Sequence, residues 1–212
     1  MFEFILDTLF SKRCVSCKKL DTYLCLDCTY KIKQTDLFCI YCLEKSIGGF
    51  THQTCKQKFG LDGLWSLGVN AGPLKKAISA LKYKGISDLA DILTNILVDY
   101  FQKFNPYFLD PIKKTKGQNW IVVPVPLYWY KKNHRGYNQV ELIGKSLAKG
   151  LGLEYKELLV SHGAFLLTKK QPVPQNVLLI DDYLTTGRTL KECCEVIKKE
   201  GVKKVWGVTL AV

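Results

Sequence analysis

Apolar positions along this chain follow two alternating patterns. Short continuous runs, "WIVVPVP" (120–126), "NVLLIDD" (176–182) and "KKVWGVTLAV" (203–212), have strand length and are rich in β-branched residues. "LDGLWSLGV" (61–69) alternates enough to add a further strand. Between the runs, Leu74, Ile78 and Leu81 recur at helical spacing, with Gly72–Pro73 before them and Gly85 after. A second amphipathic helix is expected over 87–104, opened by Ser87 as N-cap. Others are expected over 138–152 and 189–201, and Asn105 to Gln118 reads as a Pro- and Lys-containing connection. Strands alternating with helices predict an α/β fold with a mainly parallel sheet covered on both faces.

The first quarter breaks this pattern. "MFEFILDTLF" reads as a short amphipathic helix; it carries Glu3 and Asp7 and lacks a basic leader, which argues against a signal peptide. Four pairs of identical spacing follow: Cys14/Cys17, Cys25/Cys28, Cys39/Cys42 and His52/Cys55. Eight ligands fill two tetrahedral zinc sites, and a C-x-x-C turn aims two thiolates at one point while backbone N–H groups donate to the sulfurs. Pairing the first knuckle with the third and the second with the fourth gives gaps of 21 and 23 residues. Pairing neighbours gives gaps of 7 and 9, and spacing leaves both arrangements open. One ion instead of two, and a disulfide-stapled segment, are the competing readings; the latter needs an oxidising compartment. The expected organisation is a zinc-ribbon-like structural module over 1–60 and an α/β domain over 61–212. Cys193 and Cys194, within an expected helix, read as small buried hydrophobes.

Composition adds charge. Lys and Arg number 31 against 19 Asp and Glu, a formal net charge of +12. Seven thiolates holding two Zn²⁺ would lower it by three, so the chain stays basic and suited to polyanions such as nucleic acid or phosphorylated metabolites. No apolar run is long enough to span a bilayer, and with no targeting signal the expected location is cytoplasmic. From Pro111 to Val140 there are six Lys/Arg and no Asp or Glu, with Tyr128, Trp129, Tyr130 and Tyr137 interleaved. Cations track phosphates and aromatic faces stack on bases, which makes Lys131, Lys132 and Arg135 candidates for single-stranded nucleic acid. The alternative is a solvated basic loop whose aromatics pack inward.

The densest chemistry lies in "NVLLIDDYLTTGRTL" (176–190). Asp181 and Asp182 end a buried strand, where open α/β sheets bind their ligands. Thr185, Thr186 and Gly187 then turn into a helix, and backbone N–H groups at such a turn cradle a phosphate. Two carboxylates beside it suit the 2- and 3-hydroxyls of a ribose or a hydrated Mg²⁺. A phosphate pocket beside a diol pocket describes a ribose 5-phosphate site.

This stretch resembles the phosphoribosyl-pyrophosphate (PRPP) signature of the type I phosphoribosyltransferases. "VVPVPLYWYKKNHRGYNQVELIGKSLAKGLGL" (122–153) resembles the Pro-Val-Pro … Arg-Gly-Phe-Asn-Gln block of the ComF family, with Tyr137 where phenylalanine is usual, and "LKYKG" (81–85) resembles its Lys-Tyr element. With the knuckles included, the resemblance covers nearly the whole chain. It implies a fold of type I phosphoribosyltransferase type behind a zinc module, and a link to natural competence, the uptake of single-stranded DNA. It also implies that Asp181, Asp182, Thr185, Thr186, Gly187, Arg188 and Thr189 bind the ribose phosphate of PRPP with Mg²⁺. Arg135, Gly136 and Asn138 would then lie near the pyrophosphate. One departure stands out: "KELLVS" runs directly into "HGAF", and by the resemblance roughly two dozen residues of a mobile loop are missing before Gly163. In type I phosphoribosyltransferases that loop closes over the substrate, so binding is expected to survive its loss better than transfer. Two functions follow. One is a phosphoribosyltransferase acting on PRPP, with no acceptor or acceptor base evident. The other is a non-catalytic protein that holds single-stranded DNA or an uptake partner through the basic loop and zinc module.

Overall fold

The computed structural model describes residues 12–114, 119–127, 137–161, 165–167, 172 and 174–212. The expected N-terminal helix and the candidates Lys131, Lys132, Arg135 and Gly136 lie outside them. After the cysteine-rich segment, which holds the short helix α1 (Leu26–Thr29) and 3₁₀ turns over Ile47–Gly49 and Gln53–Cys55, the chain runs β1 (Gly63–Gly68), α2 (Gly72–Tyr83), α3 (Asp88–Phe104), α4 (Leu109–Lys114) and β2 (Trp120–Pro124). It continues through α5 (Gln139–Leu151), β3 (Glu154–Tyr155), β4 (Leu159–Ser161), β5 (Phe165–Leu167), β6 (Asn176–Tyr183), α6 (Arg188–Lys199) and β7 (Lys204–Ala211). Five strands form one parallel sheet in the order β1-β7-β6-β2-β3. β4 and β5 pair antiparallel with each other, apart from that sheet.

The period of two along each strand sorts the core into two layers. Trp65, Leu67, Val122, Leu178, Ile180, Trp206, Val208 and Leu210 face one cluster, completed by α2, α3, α4 and α5. Leu64, Ile121, Val123, Val177, Leu179 and Val205 face the other, completed by Leu190, Cys193, Cys194 and Ile197 of α6. Both sheet faces are therefore covered, as a parallel sheet requires. Burial pushes the Cys194 thiol up to about 12 and Cys193 higher still, so both pack as neutral apolar groups.

Two local expectations are corrected. Ser87 is helical and its side chain makes no capping bond; its carbonyl accepts the N–H of Ala90, and Asp88 and Asp91 complement the helix N-terminus instead. The connection after Asn105 contains α4. Phe108, Leu109 and Ile112 are buried there, and Pro111 falls in the first turn, where a missing N–H costs nothing. Among the described residues no helix is long and apolar enough to cross a membrane.

Candidate functional site

β6 outruns its neighbour. The last residue of β2, Pro124, pairs with Ile180, so Asp181 and Asp182 stand past the carboxyl end of β2 while β7 continues beside them to Ala211. Strand geometry turns Asp182 toward the α2 and α5 side. There its Oδ1 accepts from Lys82 Nζ at 2.8 Å and its Oδ2 from Gln139 Nε2 at 2.6 Å. Asp182 is only 5% exposed, and a donor on each carboxyl oxygen satisfies it at that depth. Asp181 Oδ1 accepts the N–H of Asp182 at 2.8 Å. Both carboxylates line one cavity of about 200 Å³ with Lys82, Gln139 and Thr189. Gln139 Oε1 is buried with no hydrogen-bond partner among the described residues, an acceptor still available for a donor.

The turn after β6 is built for a close backbone approach. Gly187 adopts φ 69°, the left-handed region, and caps α6. The N–H of Arg188 is held by Thr186 Oγ1 at 3.4 Å. Arg188 pairs with Glu192 one turn along the helix at 2.7 Å. Thr186 and Arg188 face a second cavity on the far side of the turn, about 680 Å³ in volume, whereas Thr189 faces the carboxylates.

The structure places Asn138 as the N-cap of α5. Its Oδ1 accepts from Val140 N at 3.0 Å and its Nδ2 donates to Glu141 Oε1 at 3.1 Å, a capping arrangement that fixes Gln139 at the first helical position. Tyr137 Oη donates to the carbonyl of Leu81, tying the start of α5 to the residue preceding Lys82. Lys82 and Gln139 were absent from the residues singled out by sequence. Both sat inside quoted motifs, "LKYKG" and "RGYNQ", and only the fold brings them to Asp182.

The eight knuckle ligands gather as neighbours: Cys14, Cys17, Cys25 and Cys28 in one group, Cys39, Cys42, His52 and Cys55 in the other, with ligand atoms within 4.8 Å of one another. The pairing left open by spacing is therefore the one with short gaps. All nine cysteines are free thiols. Cys17 Sγ and Cys25 Sγ stand 3.5 Å apart, near the ~3.8 Å edge of a tetrahedron of zinc–thiolate bonds. His52 is oriented as a ligand: Nε2 meets the carbonyl of Lys45 at 3.1 Å and so carries the proton, leaving the Nδ1 lone pair toward Cys42 Sγ at 3.3 Å. Each group can hold a zinc ion.

The first knuckle of each group is the same structure twice. Cys14 N donates to Lys19 O and Lys18 N to Cys14 O, with Lys18 left-handed; Cys39 N donates to Glu44 O and Leu43 N to Cys39 O, with Leu43 left-handed. Burial pushes the leading thiol of each upward. The N–H groups of Cys17, Cys25 and Ser16 outweigh it at Cys14 and bring it down to about 6. Those of Cys42, His52 and Tyr41 do the same at Cys39, down to about 7.

The comparisons with known proteins agree with this layout. Residues 160–211 match the phosphoribosyl transferase domain family, the region that holds β6, the turn after it, α6 and β7. The chain is 25% identical to Competence protein F of Haemophilus influenzae, across 95% of this chain and 98% of that protein. It is 28% identical to Competence protein ComFC of Streptococcus pneumoniae over 48% of this chain, and 25% identical to the Bacillus subtilis protein of the same name over 60%. Those two alignments take in only about half of each relative's length, 51% and 55%. A parallel sheet with this signature at the end of its β6 defines a phosphoribosyltransferase-type domain. With paired cysteine knuckles packed against that domain, the chain is similar along nearly its whole length to a competence protein of the ComF type.

Proposed function

We propose that this protein binds PRPP as its Mg²⁺ complex and serves natural competence, with both cysteine groups holding structural zinc. The observation that carries the PRPP reading is the Asp181–Asp182 pair past the end of β2, beside a glycine-opened helix. In that reading Asp182, held by Lys82 and Gln139, and Asp181 take the two ribose hydroxyls. The N–H groups from Thr185 to Thr189 take the 5-phosphate. Mg²⁺ bound to the pyrophosphate keeps most of its own shell and needs no all-protein cage. Lys82, whose ammonium lines the same cavity, is the described cation placed to meet the pyrophosphate, with Arg135 and Gly136 as further candidates. The role in competence rests on the relatives named for it. The six cations between Pro111 and Val140 favour single-stranded DNA as a second ligand, consistent with that role.

Calorimetric titration of Mg²⁺·PRPP into zinc-loaded protein tests the reading. Micromolar binding is expected, weakened at least ~100-fold in Asp181→Asn/Asp182→Asn, about the 2.7 kcal/mol that lost charge-assisted hydrogen bonds account for. Absence of binding in the unaltered protein, or equal binding in the double variant, would overturn it.

A further inference from the structure

The second cysteine–histidine group sits directly behind the phosphate turn. Ile40 and Tyr41 are the two residues inside its first knuckle, between Cys39 and Cys42. Ile40 is 1% exposed, and it belongs to the same core cluster as Leu184 and Leu190, which bracket the turn. A Cβ built on Gly187 would lie 3.0 Å from Ile40 Cγ1 and 3.1 Å from Cδ1, so the turn's backbone rests on this side chain. Tyr41 adds a second strut. Its ring lies 5.0 Å from Lys191 Nζ, which reaches back to the carbonyl of Thr186 at 3.4 Å, and its Oη accepts the N–H of Leu61 at 2.9 Å.

From this contact we infer that the second metal group and the ribose-phosphate pocket are energetically linked, with Ile40 the positioning residue that joins them. The inference rests on the PRPP reading and adds a regulatory connection to it. Zinc fixes Cys39 and Cys42 about one centre and so fixes Ile40 between them. Within the turn, the long bond from Arg188 N to Thr186 Oγ1 is a weak internal restraint, so its shape depends on what packs beneath Gly187. A phosphate cradle works only while its N–H groups converge, and a shift of about 1 Å spoils such convergence. Loss of the metal frees the knuckle, Ile40 withdraws, and the cradle opens. Linkage is reciprocal, so a bound ribose phosphate must hold the second metal more tightly. The first group lacks this connection: Cys14, Cys25 and Cys28 belong to the other core cluster, on the α2 and α3 side.

Metal release from the full zinc-loaded chain to a chromogenic chelator, with and without Mg²⁺·PRPP, tests the link. Mass-spectrometric mapping of cysteine alkylation assigns each released ion to its group. PRPP at saturation is expected to slow release from Cys39, Cys42 and Cys55 about 10-fold and to leave the first group unchanged. Ile40→Ala is expected to weaken PRPP about 10-fold and abolish this protection, and Ile40→Val to restore both. Ribose 5-phosphate should protect like PRPP, because the cradle holds the 5-phosphate. PRPP that binds the unaltered protein but protects neither metal, or protects both alike, overturns the link and leaves the binding proposal standing. PRPP that does not bind overturns both. The comparison in the unaltered protein needs no variant, so poor folding of Ile40→Ala does not remove the test.

Discussion

The two metal groups begin alike and close differently. Cys14 and Cys39 each open a knuckle with the same pair of backbone bonds and the same left-handed residue after the second cysteine. The first group then closes around α1, with Cys25 at its N-cap and Cys28 within it. The second closes through a short 3₁₀ turn over Gln53–Cys55, with His52 in place of a thiolate. Three of the first four ligands are buried against the α2 and α3 layer; in the second group only Cys39 is buried. The second group is instead fastened to the sheet's β1 edge, where Thr51 Oγ1 donates to Leu61 O at 2.6 Å and Trp65 Nε1 to Gly48 O at 2.8 Å. One local chemistry thus does two jobs. The first is backed by a helical core and suited to anchoring the fold; the second is backed by the turn after β6 and is, in our proposal, the one that positions a site.

The largest expected effect separates those jobs. Cys28→Ser removes a buried ligand from the group that completes the larger core cluster, and should cost at least ~4 kcal/mol or prevent folding. Cys55→Ser removes a partly exposed ligand at the edge, and should cost roughly half that while weakening PRPP binding. Urea unfolding with metal content measured in parallel checks both. Equal losses would break the contrast and make both groups simple anchors.

Acid should sharpen it. The folded Cys14 and Cys39 thiols lie below their ordinary 9.0, at about 6 and about 7. A lowered pKa contributes stability that is complete above the unfolded value and is lost as pH falls through the folded value. That loss comes near pH 7 at Cys39 and near pH 6 at Cys14, and metal competes with the same protons. The second group, in which only Cys39 is buried, is expected to release its ion at a higher pH than the first, followed with a chelator between pH 8 and roughly 4. Release in the opposite order would show that the exposed group is the tighter one.

Much of this was legible in the chain. Continuous apolar runs located β2, β6 and β7, and the two-residue knuckle gaps picked out the eight residues that the fold gathers into two groups. "IDDYLTTG" marked the carboxyl edge of the sheet because buried strands rarely end in two acids. Pairing among knuckles was not legible, since both sets of gaps are feasible loops and the choice depends on what each group packs against. Lys82 and Gln139 were hidden for a related reason. Each lies far from Asp182 in sequence, and only the sheet's order, with α2 and α5 on one face, brings them together. Ile40 reads as a spacer inside C-I-Y-C, and its contact is with a glycine 147 positions later. Ser87 misled because a serine before an apolar run is a capping signal only when its backbone is extended, and here it is helical.

The smallest effect concerns how the first group is tied to the helices. Lys12 Nζ lies 2.9 Å from Asp88 Oδ2, joining the segment before Cys14 to the first turn of α3. Both side chains are about half exposed, at 48% and 50%, so water and salt screen the pair. Lys12 also stands over the Tyr23 ring at 5.4 Å, a contact similarly weakened by solvent. Lys12→Ala should therefore lower stability by about 0.5 kcal/mol, less at high salt, with both metals retained and PRPP affinity unchanged. Thermal unfolding at two salt concentrations measures this. If the loss approached that of Cys28→Ser, the first group would be held by charge at its rim. A small loss places its anchoring in Leu24, Cys25 and Cys28, the buried residues it shares with the helical layer.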